Sequence, residues 1–273
     1  MEKQANINFH QTFKPERQYI SSILDIADGN SYFTVKDISR MTGIPQGVSS
    51  GKVEPHISYA EFMGLVNTDK KEKQVKLTKT ALGKCVFIED PGLQEPLTRL
   101  LLHAMMLREE KGAGMWSSTF RDILPKYRNQ IKKDILIVEL NKIYNGKVNT
   151  KNIAPFLGAY DDFFAETGVI SVNDNILKCN SLPYNREFVY MYALVLWTYW
   201  EEYYPDQQEI SSIQLAQVGF GKTFGWNRQE EYEVMEHLAD KGLLRMNRQL
   251  MPYTVLKLVD IEMLISKLYS ELC

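Results

Sequence analysis

The chain has 273 residues, 44% apolar and 24% charged, which excludes a disordered or fibrous protein and allows a sizeable buried core. Its formal net charge of −2 excludes the uniformly basic composition of many nucleic-acid binders. The charge is uneven, however: Lys and Arg stand against Asp and Glu at 12 to 11 over residues 1–90, 12 to 10 over 91–180 and 8 to 13 over 181–273, so a polyanion is expected on the first two thirds.

The N-terminus, MEKQANINFHQTF, has no apolar stretch behind a basic flank, which predicts a protein retained in the cytoplasm. Phe9, Phe13 and Tyr19 read as anchors of an arm that docks on the first module of the chain, with Thr12 capping a helix begun at Pro15. Thr34 and Asp37 form a plausible capping pair for TVKDISRM, with Val35 and Ile38 inward, and Gly43-Ile44-Pro45 ends that helix. After the SSGK turn, Pro55 suits the first turn of a second helix, in which Ile57, Ala60 and Met63 share the buried face and His56, Tyr59 and Phe62 are more exposed.

Gly64 then closes the helix, Leu65-Val66 opens a strand, and NTDKKEKQVKLTK reads as a hairpin in which five lysines outnumber Asp69 and Glu72. Helix, strand, tight turn and strand make the second half of a winged helix-turn-helix. The pattern returns twice: PFLGAYDDFFAET leads to Gly168-Val169-Ile170 and SVNDNILKCN, and EYEVMEHLADK leads to Gly242-Leu243-Leu244 and RMNRQLMPYTVLKL. Between the copies lie ALGKCVFIEDPGL and the amphipathic QEPLTRLLLHAMMLREE, interrupted by Gly112-Ala113-Gly114 before MWSSTFRDIL. The 13-residue apolar run Phe188 to Trp200 is too short for a bilayer, which needs about 20 residues, and predicts a buried core helix that could also serve an interface with another subunit.

The expected fold is therefore mainly α with small β-hairpins (α+β), as tandem winged helix-turn-helix modules joined by helical connectors. Residues 1–90 hold the arm and first module, 91–180 a helical connector and second module, and 181–273 the aromatic helix and third module.

One motif suggests chemistry. Ala216-x-x-x-x-Gly221-Lys222-Thr223 spells a loose phosphate loop, but a working loop leaves an aliphatic strand and ends at a helix N-terminus. PDQQEISSIQLAQ before it reads as a polar helix start, and Phe224-Gly225-Trp226-Asn227 interrupts any helix after it, so the stretch is expected to be the turn between the two helices of the third module. His10, His56, His103 and His237 show no metal-ligand spacing, Cys85, Cys179 and Cys273 form no CxxC or disulfide framework, and Asp161-Asp162 reads as solvated surface. No catalytic residue, metal or cofactor is expected.

Phe9-His10-Gln11-Thr12-Phe13, followed by Pro15-Glu16-Arg17, resembles the Phe-His-x-Thr-Phe opening of a bacterial family known only as a domain of unknown function, number four thousand and seven. TGIPQGVSSGKVEPHISYAEFMGLV, Leu77-Thr78, Glu89-Asp90-Pro91 and the LLLHAMM helix are similar too, so the resemblance covers most of residues 7–125. It implies a winged-helix protein encoded near DNA phosphorothioation and phage-restriction genes, often beside a sulfotransfer enzyme, and carries over no catalytic residue. A non-enzymatic protein that binds double-stranded DNA in a DNA-modification or antiviral defence system is the resulting expectation. Lys52, His56 and Tyr59 would present the recognition helix to the major groove, with Arg40, Lys70, Lys71 and Lys73 on phosphates. The acidic third would hold a partner protein or form a homodimer. Two alternatives stay open: a protein-interaction adaptor without DNA affinity, and a nucleotide-dependent enzyme using Lys222.

Overall fold

The computed structural model describes residues 7–47, 51–249 and 251–272, so part of the SSGK turn lies outside the described residues. The arm, residues 7–16, leads into α1 (Arg17–Ile26), whose first amides bond to the Glu16 carbonyl, so Glu16 and not Thr12 holds the cap position. The first unit continues with β1 (Asp28–Thr34), α2 (Val35–Thr42), α3 (Val53–Phe62), β2 (Val66–Lys71), β3 (Gln74–Lys79) and α4 (Ala81–Glu89). Thr34 and Asp37 form the expected reciprocal cap on α2, and Gly43 ends it in the left-handed conformation.

A helical stretch comes next: α5 (Pro96–Met106), α6 (Gly114–Ser117), a π-helical turn over Ser118–Ile123, and α7 (Leu124–Lys126). The second unit comprises β4 (Gln130–Lys132), α8 (Lys133–Ile143), α9 (Thr150–Asp161), β5 (Ile170–Asn173) and β6 (Ile176–Cys179). The last third holds α10 (Val189–Tyr203), then β7 (Glu209–Ser211), α11 (Ser212–Val218), α12 (Arg228–Asp240), β8 (Leu244–Asn247), β9 (Thr254–Lys257) and α13 (Ile261–Ser266).

The chain is thus a mixed α+β protein in which one order, strand, helix, helix, strand, strand, occurs three times. Each time the three strands form a small antiparallel sheet with the third strand in the middle: β1-β3-β2, β4-β6-β5 and β7-β9-β8. Gly64, Gly168 and Gly242 all have positive φ at the turn into the second strand, where a left-handed residue lets the chain reverse. The opening strands β1, β4 and β7 are absent from the sequence-based expectation. Two are three residues long, and each closes its sheet by pairing with a strand forty or more residues onward.

Apolar residues from all three units join one buried cluster. At its centre lies α10, in which Val189 to Trp197 are all buried and which packs against α5, α11, α12 and α13. No helix among the described residues is long and apolar enough to cross a membrane. A polar chain threads this interior. Tyr199 Oη donates to the Ala104 carbonyl (2.6 Å) and accepts from Thr223 Oγ1 (3.1 Å). His103 Nε2 contacts the Thr223 carbonyl (3.1 Å), which only accepts, so Nε2 carries the proton and Nδ1 accepts from Tyr160 Oη (2.9 Å). Burial holds the fully enclosed His103 down at about 4, uncharged at neutral pH.

Candidate nucleic-acid interface

The β2–β3 hairpin is built as the alternation of NTDKKEKQVKLTK predicts: Val66 pairs with Lys79 and Lys71 with Gln74, and Glu72 takes a positive φ of 53° at the tip. Its lysines have different fates. Lys76 bonds to Asp69 (3.4 Å), and Lys79 Nζ donates to the Ala27 carbonyl (3.1 Å) and lies over the Phe87 ring. Lys70, Lys71 and Lys73 are exposed and make no ion pair among the described residues.

Lys70 and Lys73 line a groove of about 550 Å³ between the hairpin and the starts of α2 and α3. Lys36, unnoticed in the sequence, joins them from the first turn of α2; its place two residues after the Thr34 cap is the signal that could have found it. Glu54 and Glu72 line the same groove and oppose a second anion there. Arg40 is 79% exposed and bonded to Asp37 (3.2 Å), an exposed pair worth little to stability.

His56 and Tyr59 do not face solvent; both are fully buried. The arm covers the side of α3 that an isolated amphipathic reading leaves outside. Phe9 packs against Tyr59 (4.9 Å between ring centroids), Phe62 (4.7 Å) and Trp116 (5.8 Å), and Tyr59 Oη donates to the Phe13 carbonyl (3.0 Å). His56 Nδ1 donates to the Lys52 carbonyl (2.7 Å) while Nε2 accepts from the Glu16 amide (3.1 Å), and burial lowers its pKa. Lys52 closes the same contact through a 2.7 Å bond to Glu16. The aromatic arm supplies enough apolar surface to override the period of the helix, so His56 and Tyr59 fasten the arm and present no side chain for groove readout, while Lys52 is held by Glu16. The solvent side of α3 is left with Glu54, Ser58 and Glu61.

The GFGKTFG stretch is the connection between α11 and α12, as its flanks predict. Ser211 and Gln214 cap α11 reciprocally, and Gly221–Phe224 forms a single 3₁₀ turn. Its donors are used internally: the Gly221 amide bonds to Glu231 Oε1 (2.8 Å) and Lys222 Nζ to the Arg121 carbonyl (3.0 Å). An internal carboxylate therefore stands where the loop would receive a phosphate. Burial raises the pKa of Glu231 and lowers that of Lys222.

No protein-family model and no curated protein sequence matches the chain. Two solved structures share its fold. A magnesium ion-bound SspB crystal structure superposes with a TM-score of 0.74 over 97% of this chain and 88% of that one, at 15% identity. An SspB crystal structure gives 0.73 over the same shares, also at 15% identity. Among the described residues of the present chain, no three His, Cys, Asp or Glu side chains gather as a metal site would require.

Proposed function

We propose that this chain is a winged-helix protein that binds double-stranded DNA as the regulator or recognition subunit of a bacterial DNA-modification or antiviral defence system. The observation that carries this reading is the threefold strand, helix, helix, strand, strand order with the third strand in the middle, which is compatible with winged helix-turn-helix connectivity, together with three exposed lysines on the first hairpin that make no ion pair among the described residues. The Phe-His-x-Thr-Phe opening supports the genetic context, and the shared fold with SspB, over nearly the whole chain, supports the three units as one natural architecture. The chain works by binding, in the cytoplasm and without chemistry of its own, and its acidic last third holds a modification protein such as a sulfotransfer enzyme, or a second copy.

The test is fluorescence anisotropy with a duplex of about 20 base pairs across a salt series. Each phosphate contact contributes a slope of about 0.9 in log K against log salt. A Lys70/Lys71/Lys73→Ala variant is expected to flatten the slope by up to about 2.7 and to weaken binding on every sequence alike. An unchanged slope would remove the hairpin from the interface. The acidic solvent side of α3 favours one second reading, an adaptor that holds defence proteins together; it predicts no duplex affinity even at low salt.

A further inference from the structure

The three units repeat one strand order but not one surface. In each, the second helix after the opening strand occupies the same topological place: α3, α9 and α12. On α3 the solvent side carries Glu54, Ser58 and Glu61, and on α12 it carries Arg228, Gln229, Glu233, His237 and Asp240. A phosphate backbone approaching α3 meets carboxylates first, and on α12 the exposed Arg228 is followed by the exposed carboxylates Glu233 and Asp240. The solvent side of α9 reads Thr150, Lys151 and Ala154, and its first carboxylate is the last helical residue, Asp161. At 1.5 Å of rise per residue Asp161 stands about 15 Å from Lys151, further than the screening length of about 8 Å at physiological salt. The neighbouring Asp162 is bonded to Lys14 (2.7 Å) and Glu166 to Arg99.

The chain leading into α9 is also basic. Residues 126–151 hold seven Lys or Arg against Asp134 and Glu139, and Glu139 is bonded to Lys142. Lys147 and Lys151, in the α8–α9 turn and the first turn of α9, are exposed and make no ion pair among the described residues. The same holds for Lys132 and Lys178. The register opposes Gln130 to Lys178 and Lys132 to Ile176, which sets the two lysines diagonally on one face of the sheet, about 7–8 Å apart at the backbone. Asp134 and Asp174 lie toward the hairpin end of this unit, where Asn175 bonds to Asp134 (3.4 Å).

We infer that the second unit is itself a contact for double-stranded DNA, with Lys147 and Lys151 at the start of α9 on the phosphates and Lys132 and Lys178 as a second cationic patch. This rests on the proposed duplex binding and adds a site to the hairpin of the first unit. The exposed start of α9, Thr150, Lys151 and Ala154, offers a protein partner only the methyl of Ala154 as an apolar anchor, the exposed Ile135 and Val138 of this unit lying on α8, whereas a phosphate backbone needs only cations without internal ion pairs. Two modest contacts on one chain also account for how a protein of net charge −2 holds a polyanion, because the second engages at the effective concentration set by the first.

The experiment compares three variants of the full chain with the parent in the same salt-series anisotropy: Lys147→Ala/Lys151→Ala, Lys132→Ala/Lys178→Ala, and the triple hairpin variant. Both pairs are exposed, so an unchanged thermal midpoint shows that each variant is folded. Lys147→Ala/Lys151→Ala is expected to flatten the salt slope by about 1.8, which makes the loss of affinity between about 50 and about 200 mM salt roughly tenfold smaller than in the parent. Equal slopes for the parent and both second-unit variants, with binding lost only in the hairpin variant, would overturn the inference while leaving duplex binding in place. Absence of duplex binding by the parent at about 50 mM salt would overturn both, and capture of an acidic protein through Lys147 and Lys151 in that case would identify a different occupant.

Discussion

Acidifying the protein from about pH 7.5 to about pH 5 should weaken it through histidines that the fold keeps uncharged. His10 and His103 have no exposed surface, and burial lowers each from the free value of 6.5 to about 4. Because the folded pKa lies below the unfolded one, the unfolded chain takes up protons first. Stability is therefore full above about pH 6.5 and falls as the pH drops toward the folded value. At 1.36 kcal/mol per unit, each histidine costs about 2 kcal/mol at about pH 5, a large part of the 5–15 kcal/mol that holds a typical domain together. His56, also lowered by burial, acts in the same direction. Glu202 and Glu231 act oppositely: burial raises both, so acidification relieves them. The histidine contribution is isolated by comparison with His103→Gln and His10→Gln in urea titrations followed by tryptophan fluorescence. Each variant is expected to be less stable at about pH 7.5 and to lose about 2 kcal/mol less on acidification than the parent. Parallel pH profiles for parent and variants would refute the reasoning.

Two substitutions test local structure. Gly225 has φ +69°, and a Cβ there would lie 2.2 Å from the Asn180 carbonyl oxygen, whereas Gly242 has φ +75° with nothing within 4 Å. Gly242→Ala should cost about 1–2 kcal/mol from conformation alone, and Gly225→Ala clearly more because backbone must move; equal urea midpoints would contradict the packing between α10's entrance and the α11–α12 connection. Tyr59→Phe removes the bond to the Phe13 carbonyl and should cost about 1 kcal/mol, with no change in duplex affinity because the ring never reaches solvent. A loss of affinity at unchanged stability would restore Tyr59 to the interface.

Much of the local structure was legible because its causes are local. The Thr34 and Asp37 cap, the glycines at 64, 168 and 242, the lysine-rich hairpin and the apolar run of α10 each depend on residues within a turn or two of one another. The phosphate-loop letters could be discounted on the same basis, from the flanks alone. The strands β1, β4 and β7 were not legible: a segment as short as Glu209–Ser211 has too few residues to show a period, and it becomes a strand only when β9 arrives beside it.

The candidate interface divides along the same line. Sequence alone determined the charge: which third is acidic, which hairpin carries lysines, and that residues 126–151 hold a local excess of cations. Tertiary structure decided which of those charges are free. It bonded Lys52 to Glu16, held Lys76 and Lys79 on the body of the first unit, brought Lys36 to the groove, and sealed Tyr59 beneath Phe9 and His56 against Tyr19 and the Glu16 amide. Charge is a property each residue carries alone, whereas exposure is set by whatever distant segment the burial of apolar surface brings to rest on it.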